Sequence, residues 1–200
     1  MGWNHNTQYH DFVLSALPTD CRRALDVGCG RGALARKLAQ HCEEVVCIDS
    51  DPGCIVHAKA SINIGQNITF VNGDVLAHPL QPGGFDFLVT VATLHHLPLR
   101  AALKRFSDLL RPGGVLVVVG LYRIATLVDY AFSATALPIS WAIRSLRGEE
   151  QVGAPIQEPT ETLRSIRWES DSILPGAVLR RQFFFRYTMV WSKPWGGGLP

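Results

Sequence analysis

The stretch ALDVGCGRGALARKLA, residues 24–39, decides the fold. An apolar run carrying Asp26 is followed by glycines at 28, 30 and 32. A helical pattern comes next, with Leu34, Leu38 and Cys42 on one face at i, i+4 and i+8. Alternating glycines let backbone approach a ligand where a Cβ would intrude. Gly28, Gly30 and Ala33 satisfy G-x-G-x-x-[GA] between a strand and a helix, and Asp49 follows about twenty residues on. That spacing is a formal match to a dinucleotide fingerprint. Any nucleoside held at a strand-to-helix turn asks for the same features, since glycine admits the ligand and a carboxylate accepts both ribose hydroxyls. By itself the loop leaves a nicotinamide-dependent oxidoreductase open.

Outward from the loop, short apolar runs recur at 23–27, 44–48, 68–72, 85–91 and 114–121. They lack strict alternation, as expected of strands buried on both faces. Helical patterns separate them, and PLRAALKRFSDLL begins with Pro98 at a plausible first helical position. Strand–helix repetition predicts an α/β fold, Rossmann-like and doubly wound. The expected sheet is seven-stranded and mostly parallel, with helices on both faces and an apolar helical insertion before the last two strands. The chain reads as a single domain over 1–200. Its parts are an N-terminal lid segment (1–20), a core (21–121), an insertion (122–170), a final strand pair (171–193) and a disordered tail (194–200). A short helical pattern spans about 159–168, and two strand-like halves flank Arg186.

Bulk properties narrow the function. With 200 residues and 47% hydrophobic content there is material for one core. The net charge of +2 and the absence of a basic run argue against a nucleic-acid partner. The apolar stretches are too short or interrupted for stable membrane insertion, and the N-terminus has no signal-peptide pattern. The five cysteines lack C-x-x-C spacing and read as buried reduced thiols in a cytoplasmic protein. A zinc site from His41, Cys42 and Cys47 lacks paired spacing, so no metal is expected.

Three features join the glycine loop. Asp26 and Gly32 extend it to D-x-G-x-G-x-G, Gly73-Asp74 follows the third strand, and FDFLVTVATLHHL leads through a helix to LLRPGGVLVV. Taken together, residues 23–121 resemble the class I S-adenosylmethionine-dependent methyltransferases. The resemblance implies S-adenosyl-L-methionine as cofactor and S-adenosyl-L-homocysteine as product. It also implies that Asp26, Gly28, Cys29 and Gly30 line the methionine part. Asp49 would hold the ribose, with Ser50 beside the adenosine. Asp74 and Val75 would hold the adenine edge, and the Val91 carbonyl would face the methionine ammonium. Asp26 and Asp74 also fit turn or cap roles, and Asp86 fits either the family's fourth motif or a structural role.

The acceptor side is read from residues outside that core. Trp3, His5, Tyr9 and His10 suit a lid, with Tyr9 and His10 as candidate catalytic groups; the alternative is an amphipathic helix docked on the sheet. His95 and His96 follow the fourth strand, and His96 is the third candidate, since imidazole titrates near neutrality. An apolar lining is expected from Leu121, Tyr122, Leu127, Tyr130, Phe132, Leu137, Ile139 and Trp141; an extension of the core or a homodimer contact is the alternative. These features favour a small apolar acceptor and O-methylation of a carboxylate or phenol by in-line transfer. N- or C-methylation of a small metabolite, or a non-catalytic subunit of the same fold, is the runner-up.

Overall fold

A computed structural model describes residues 7–61, 67–125, 158–183 and 185–195. Seven strands form one sheet: β1 (Arg23–Val27), β2 (Glu44–Asp49), β3 (Ile68–Asn72), β4 (Phe85–Val91), β5 (Leu110–Leu121), β6 (Val178–Gln182) and β7 (Arg186–Ser192). Their spatial order is β3-β2-β1-β4-β5-β7-β6. The first five are parallel, whereas β7 runs antiparallel to both neighbours. The chain order reverses direction between β1 and β4, and such a switch point opens a crevice at the strands' carboxyl ends. The glycine loop leaves β1 at that end.

Five α-helices are described: α1 (His10–Ser15), α2 (Ala33–Leu38), α3 (Pro52–Ala60), α4 (Leu99–Leu109) and α5 (Leu163–Ile173). Val13, Leu34, Leu38 and Ile55 place α1, α2 and α3 on one face, against Phe87, Val89, Val117 and Val119. Leu103, Phe106 and Ile166 place α4 and α5 on the other, against Leu88, Leu116, Val118 and Tyr187. Helices therefore cover both faces of the sheet, which is why its strands read as unbroken apolar runs.

Two boundaries differ from the sequence reading. β5 begins at Leu110 rather than 114, because Leu110 pairs with Phe85 before an irregularity in the ladder. The last helix starts at Leu163 rather than about 159, because the Thr162 hydroxyl caps it by accepting from the Ser165 N–H at 3.1 Å. Trp195 lies over Gly113. The expected apolar lining at Leu127, Tyr130, Phe132, Leu137, Ile139 and Trp141, with Trp3 and His5, lies outside the described residues, as do positions 196–200. No described helix is long and apolar enough to cross a membrane. The described cysteines are free thiols, with the Cys21 and Cys42 sulfurs 3.1 Å apart.

Candidate active site

The glycine loop turns sharply out of β1. Gly28, Gly30 and Gly32 all have left-handed backbone, at φ 72°, 52° and 72°. Their surroundings differ. A Cβ at Gly28 would overlap the Thr93 side chain, and one at Gly32 would press on the Phe70 ring. A Cβ at Gly30 would meet nothing within 4 Å, so this part of the loop faces open space. The loop is tied to β2 by the Gly28 N–H, which donates to the Ile48 carbonyl at 2.8 Å. Cys29 is buried beside it.

Asp49, at the end of β2, braces the same loop. One of its carboxylate oxygens accepts from the Gly30 N–H at 2.8 Å and the other from the Asp51 N–H at 2.9 Å. Each oxygen keeps a lone pair for a further donor. Ser50 is exposed beside it. Asp26 is 2% exposed, and its Oδ2 has no hydrogen-bond partner. Burial first, and the Asp49 charge second, raise its pKa to about 7.

At the end of β3, Asp74 is exposed and accepts from the Leu76 N–H at 2.9 Å. The turn role is therefore present, and it uses one of two oxygens. Val75 is buried in the core, and its carbonyl accepts from Arg105 Nε at 3.2 Å. At the end of β4 the Val91 carbonyl accepts from the Thr93 hydroxyl at 3.1 Å. Between them Ala92 has φ 53°, a left-handed conformation that costs a non-glycine residue roughly 1–2 kcal/mol. This strained turn carries Thr93 against Gly28.

Asp86 sits at the other end of β4, far from this crevice along the strand. Its Oδ2 accepts from the Arg22 and Arg23 N–H groups at 2.8 and 2.6 Å, and Oδ1 pairs with Arg111. These bonds tie the entry of β1 to β4 and β5. Of its two readings, the structure assigns Asp86 the structural one.

The three candidate catalytic residues are not brought together. His96 is exposed, while its neighbour His95 is half-buried with Nδ1 unpartnered and its ring centroid 4.0 Å from that of His96. Burial first, then the His96 and Arg186 charges, lowers the His95 pKa to about 4. His10 is 5% exposed, and the charges acting on it are Lys37 and Asp11, at the seam of α1 and α2. Burial and Lys37 lower its pKa to about 4 as well. Tyr9 turns elsewhere: the Arg186 guanidinium lies 5.8 Å from its ring centroid. Burial raises the Tyr9 phenol, with Arg186 opposing. Tyr9 and Phe12 line a cleft of about 350 Å³ with Gln182, Phe183 and Thr188. Tyr122, expected in the acceptor lining, is packed in the core on the α4 and α5 face.

Thr93, Ala92 and Arg186 carried no role in the sequence reading. Arg186 had one visible signal, a lone charge inside the apolar run FFFRYTMV. Among the described residues no group of three or more His, Cys, Asp or Glu could hold a metal ion.

Residues 24–114 match a family model described as a methyltransferase domain. An uncharacterized methyltransferase of Mycobacterium tuberculosis is 31% identical over 194 residues, spanning 96% of this chain and 98% of that protein. A ubiquinone biosynthesis O-methyltransferase of Xylella fastidiosa is 33% identical over 142 residues, covering 68% of this chain and 55% of that one. The crystal structure of the N-methyltransferase NodS from Bradyrhizobium japonicum, in complex with S-adenosyl-L-homocysteine, superposes with a TM-score of 0.64 at 21% identity. That superposition covers 94% of this chain and 87% of that one.

Proposed function

This chain belongs to the class I S-adenosylmethionine-dependent methyltransferases, and from that premise we propose that it methylates an oxygen of a small apolar molecule. The residues present fit the cofactor. Asp26 Oδ2 is a buried oxygen without a partner, and Gly30 leaves the space a side chain would fill. In this reading Asp49 accepts from the ribose hydroxyls while bracing Gly30, with Ser50 alongside. Asp74 and Val75 take the adenine edge. Asp26, Gly28, Cys29, Gly30 and the Val91 carbonyl take the methionine part. When bound, the cofactor supplies a methyl group already activated on a sulfonium. The protein's task is then to align the acceptor and exclude water, which is worth up to roughly 7 kcal/mol or more.

One observation supports the choice of oxygen: the His95 imidazole, just past β4, is half-buried with Nδ1 unpartnered, and burial lowers its pKa to about 4. It is neutral at pH 7, able to hydrogen-bond through Nδ1 and weak as a base. An amine arrives protonated and needs a base. A carboxylate, with an ordinary pKa near ~4.3, is already ionised and needs only orientation. A carboxylate acceptor is therefore favoured over a phenol, with Tyr9 and His95 orienting it and His96 and His10 further from the chemistry. The name of the ubiquinone biosynthesis relative, an O-methyltransferase, supports the same atom type.

The test has two stages. Calorimetry with S-adenosylmethionine, NAD and NADP should show binding of the first alone. Label from methyl-tritiated cofactor should then pass to apolar acids and phenols rather than to amines. Mild alkali releases methanol from an ester and leaves an ether or methylamine intact. Label found solely in alkali-stable amine products would sink the proposal.

A further inference from the structure

Arg186 opens β7, paired with Leu121 at the carboxyl end of β5, on the same side of the sheet as α1. It is 7% exposed, and neither its Nε nor its Nη1 has a hydrogen-bond partner. Among the described residues no acidic side chain pairs with it: the ion pairs there engage Arg23, Lys37, Arg100 and Arg111. Its contact is the Tyr9 ring, and its charge is felt by His95. A guanidinium offers two edges for a bidentate acceptor, Nε with Nη2 and Nη1 with Nη2. Each edge here keeps at least one open donor.

Such a group is costly to keep. A buried charge without a counter-ion is strongly unfavourable, and a ring 5.8 Å away returns a small part of that cost. Buried charges are paired in native proteins, or they await a partner. The surroundings say what partner fits. Burial keeps Tyr9 protonated and His95 unprotonated at neutral pH, so both flanking groups are uncharged. Among the described residues this face therefore presents the Arg186 charge, flanked by Tyr9 of the N-terminal segment and His95 of the β4 exit. A singly charged planar anion matches it in charge and shape, whereas a dianion would bring an uncompensated charge.

We propose that Arg186 is the anion-recognition residue of the acceptor site, pairing with a carboxylate carried by the methyl acceptor. This rests on the methyltransferase reading above and its carboxylate acceptor, and adds to it the group that recognises the acid. A carboxylate could also come from the methionine part of the cofactor, and the experiment separates the two sources.

The probes are decanoate, cinnamate and salicylate with their primary amides, titrated calorimetrically into protein saturated with S-adenosylhomocysteine. Wild type, R186K and R186M are compared. At least one acid should bind wild type about 10-fold or more tighter than its amide, because the amide leaves the guanidinium unpaired. R186M should bring that ratio to about one, and R186K should keep part of it. The affinity for S-adenosylhomocysteine itself should change by less than about 2-fold in both variants, as no contact to it is removed. The acid-to-amide ratio in wild type needs no variant, so a folding defect in R186M leaves the proposal exposed to test. It is overturned by equal binding of acids and amides to wild type, by a ratio that survives in R186M, or by no binding of any probe. It is overturned equally if the loss falls on S-adenosylhomocysteine affinity, which would assign the guanidinium to the cofactor. Failure of the methyltransferase reading shows separately, as wild type that does not bind S-adenosylhomocysteine at all.

Discussion

Replacing Asp26 by asparagine should flatten the dependence of this protein's stability on pH. The Asp26 carboxyl is buried with one oxygen unpartnered, and burial with the nearby Asp49 charge raises its pKa from 3.8 to about 7. The unfolded chain releases this proton near pH 3.8, while the folded protein keeps it to about pH 7. Between those values the folded state binds more protons, so stability falls as pH rises through the window and levels off above it. The window is some three pH units wide, and at 1.36 kcal/mol per pH unit the loss is at most about 4 kcal/mol. Asparagine keeps the shape and never ionises. Urea unfolding from about pH 4.5 to about pH 7.5 should show wild type losing ground to D26N by roughly 2–4 kcal/mol. Parallel curves for the two proteins would refute the reasoning, since they would mean Asp26 titrates alike in both states. A cationic ammonium beside Asp26 should expel its proton. Titration of wild type with S-adenosylhomocysteine near pH 6.5 should therefore release protons, read from the dependence of the heat on buffer ionisation enthalpy.

Three further outcomes follow from the same geometry. Asp49→Ala should weaken S-adenosylmethionine binding by roughly 1.5–3 kcal/mol, since it loses charge-assisted ribose bonds and the brace on the Gly30 N–H; unchanged affinity by calorimetry would count against both roles. Gly28→Ala should lower stability by about 1–3 kcal/mol and cofactor affinity with it, because its left-handed backbone and the Thr93 side chain both oppose a Cβ. Adding Thr93→Ala should recover part of the stability loss, and a double mutant no better than the single one would show that the clash is not the cause. Asp86→Ala should cost about 3–5 kcal/mol of unfolding free energy by stranding the Arg111 charge and two backbone N–H groups. It should leave cofactor affinity within a few-fold, as its bonds lie at the opposite end of β4 from the crevice.

The parallel strands β1, β2 and β4 were legible because each is covered on both sides, which leaves an apolar run in the sequence, whereas the edge strand β3 alternates buried Ile68 and Phe70 with exposed Thr69. The turns at the carboxyl ends of the first three strands were legible for a related reason. Gly28, Gly30, Asp49 and Asp74 fall at short offsets from strand ends, so their spacing marks where those strands stop. Helix α5 was displaced because the pattern near 159 gives apolar periodicity, whereas the start is set by the Thr162 cap. Asp86 could not be assigned from sequence, since its backbone partners Arg22 and Arg23 are 64 and 63 residues away, its ion-pair partner Arg111 sits on another strand, and the same aspartate suits either end of a strand. Thr93 was hidden for a different reason. Its importance lies in contact with Gly28 across the turn at Ala92, and nothing in VATL announces a left-handed alanine. Which histidine is buried was equally hidden, since His95 and His96 are adjacent and only the packed turn separates them.

The buried polar groups set the two ends of the sheet apart. Native proteins leave few buried polar atoms unpaired, so their location is informative. Among the described residues, the orphaned nitrogens at the amino end of the sheet, Arg23 Nε and Arg111 Nε, still face carboxylates of Glu44 and Asp86. At the carboxyl end the situation reverses. Asp26 Oδ2, His95 Nδ1 and Arg186 Nε and Nη1 have neither a hydrogen bond nor an ion pair. The strained Ala92 lies among them. One end of the same sheet is thus satisfied and holds the fold together. The other keeps an acid, a neutral imidazole and a cation unsatisfied, an arrangement that costs stability in the empty protein. Ligands bearing a cation for Asp26 and an anion for Arg186 would recover that cost. The crevice should therefore gain stability on loading in two separable steps, the cofactor acting through Asp26 and an acidic acceptor acting through Arg186. Thermal melts with S-adenosylhomocysteine alone, and then with a carboxylate probe added, should show two successive rises in midpoint. D26N should alter the first rise and R186M should abolish the second; a second rise of the same size in R186M would break the link between the unsatisfied guanidinium and the acceptor.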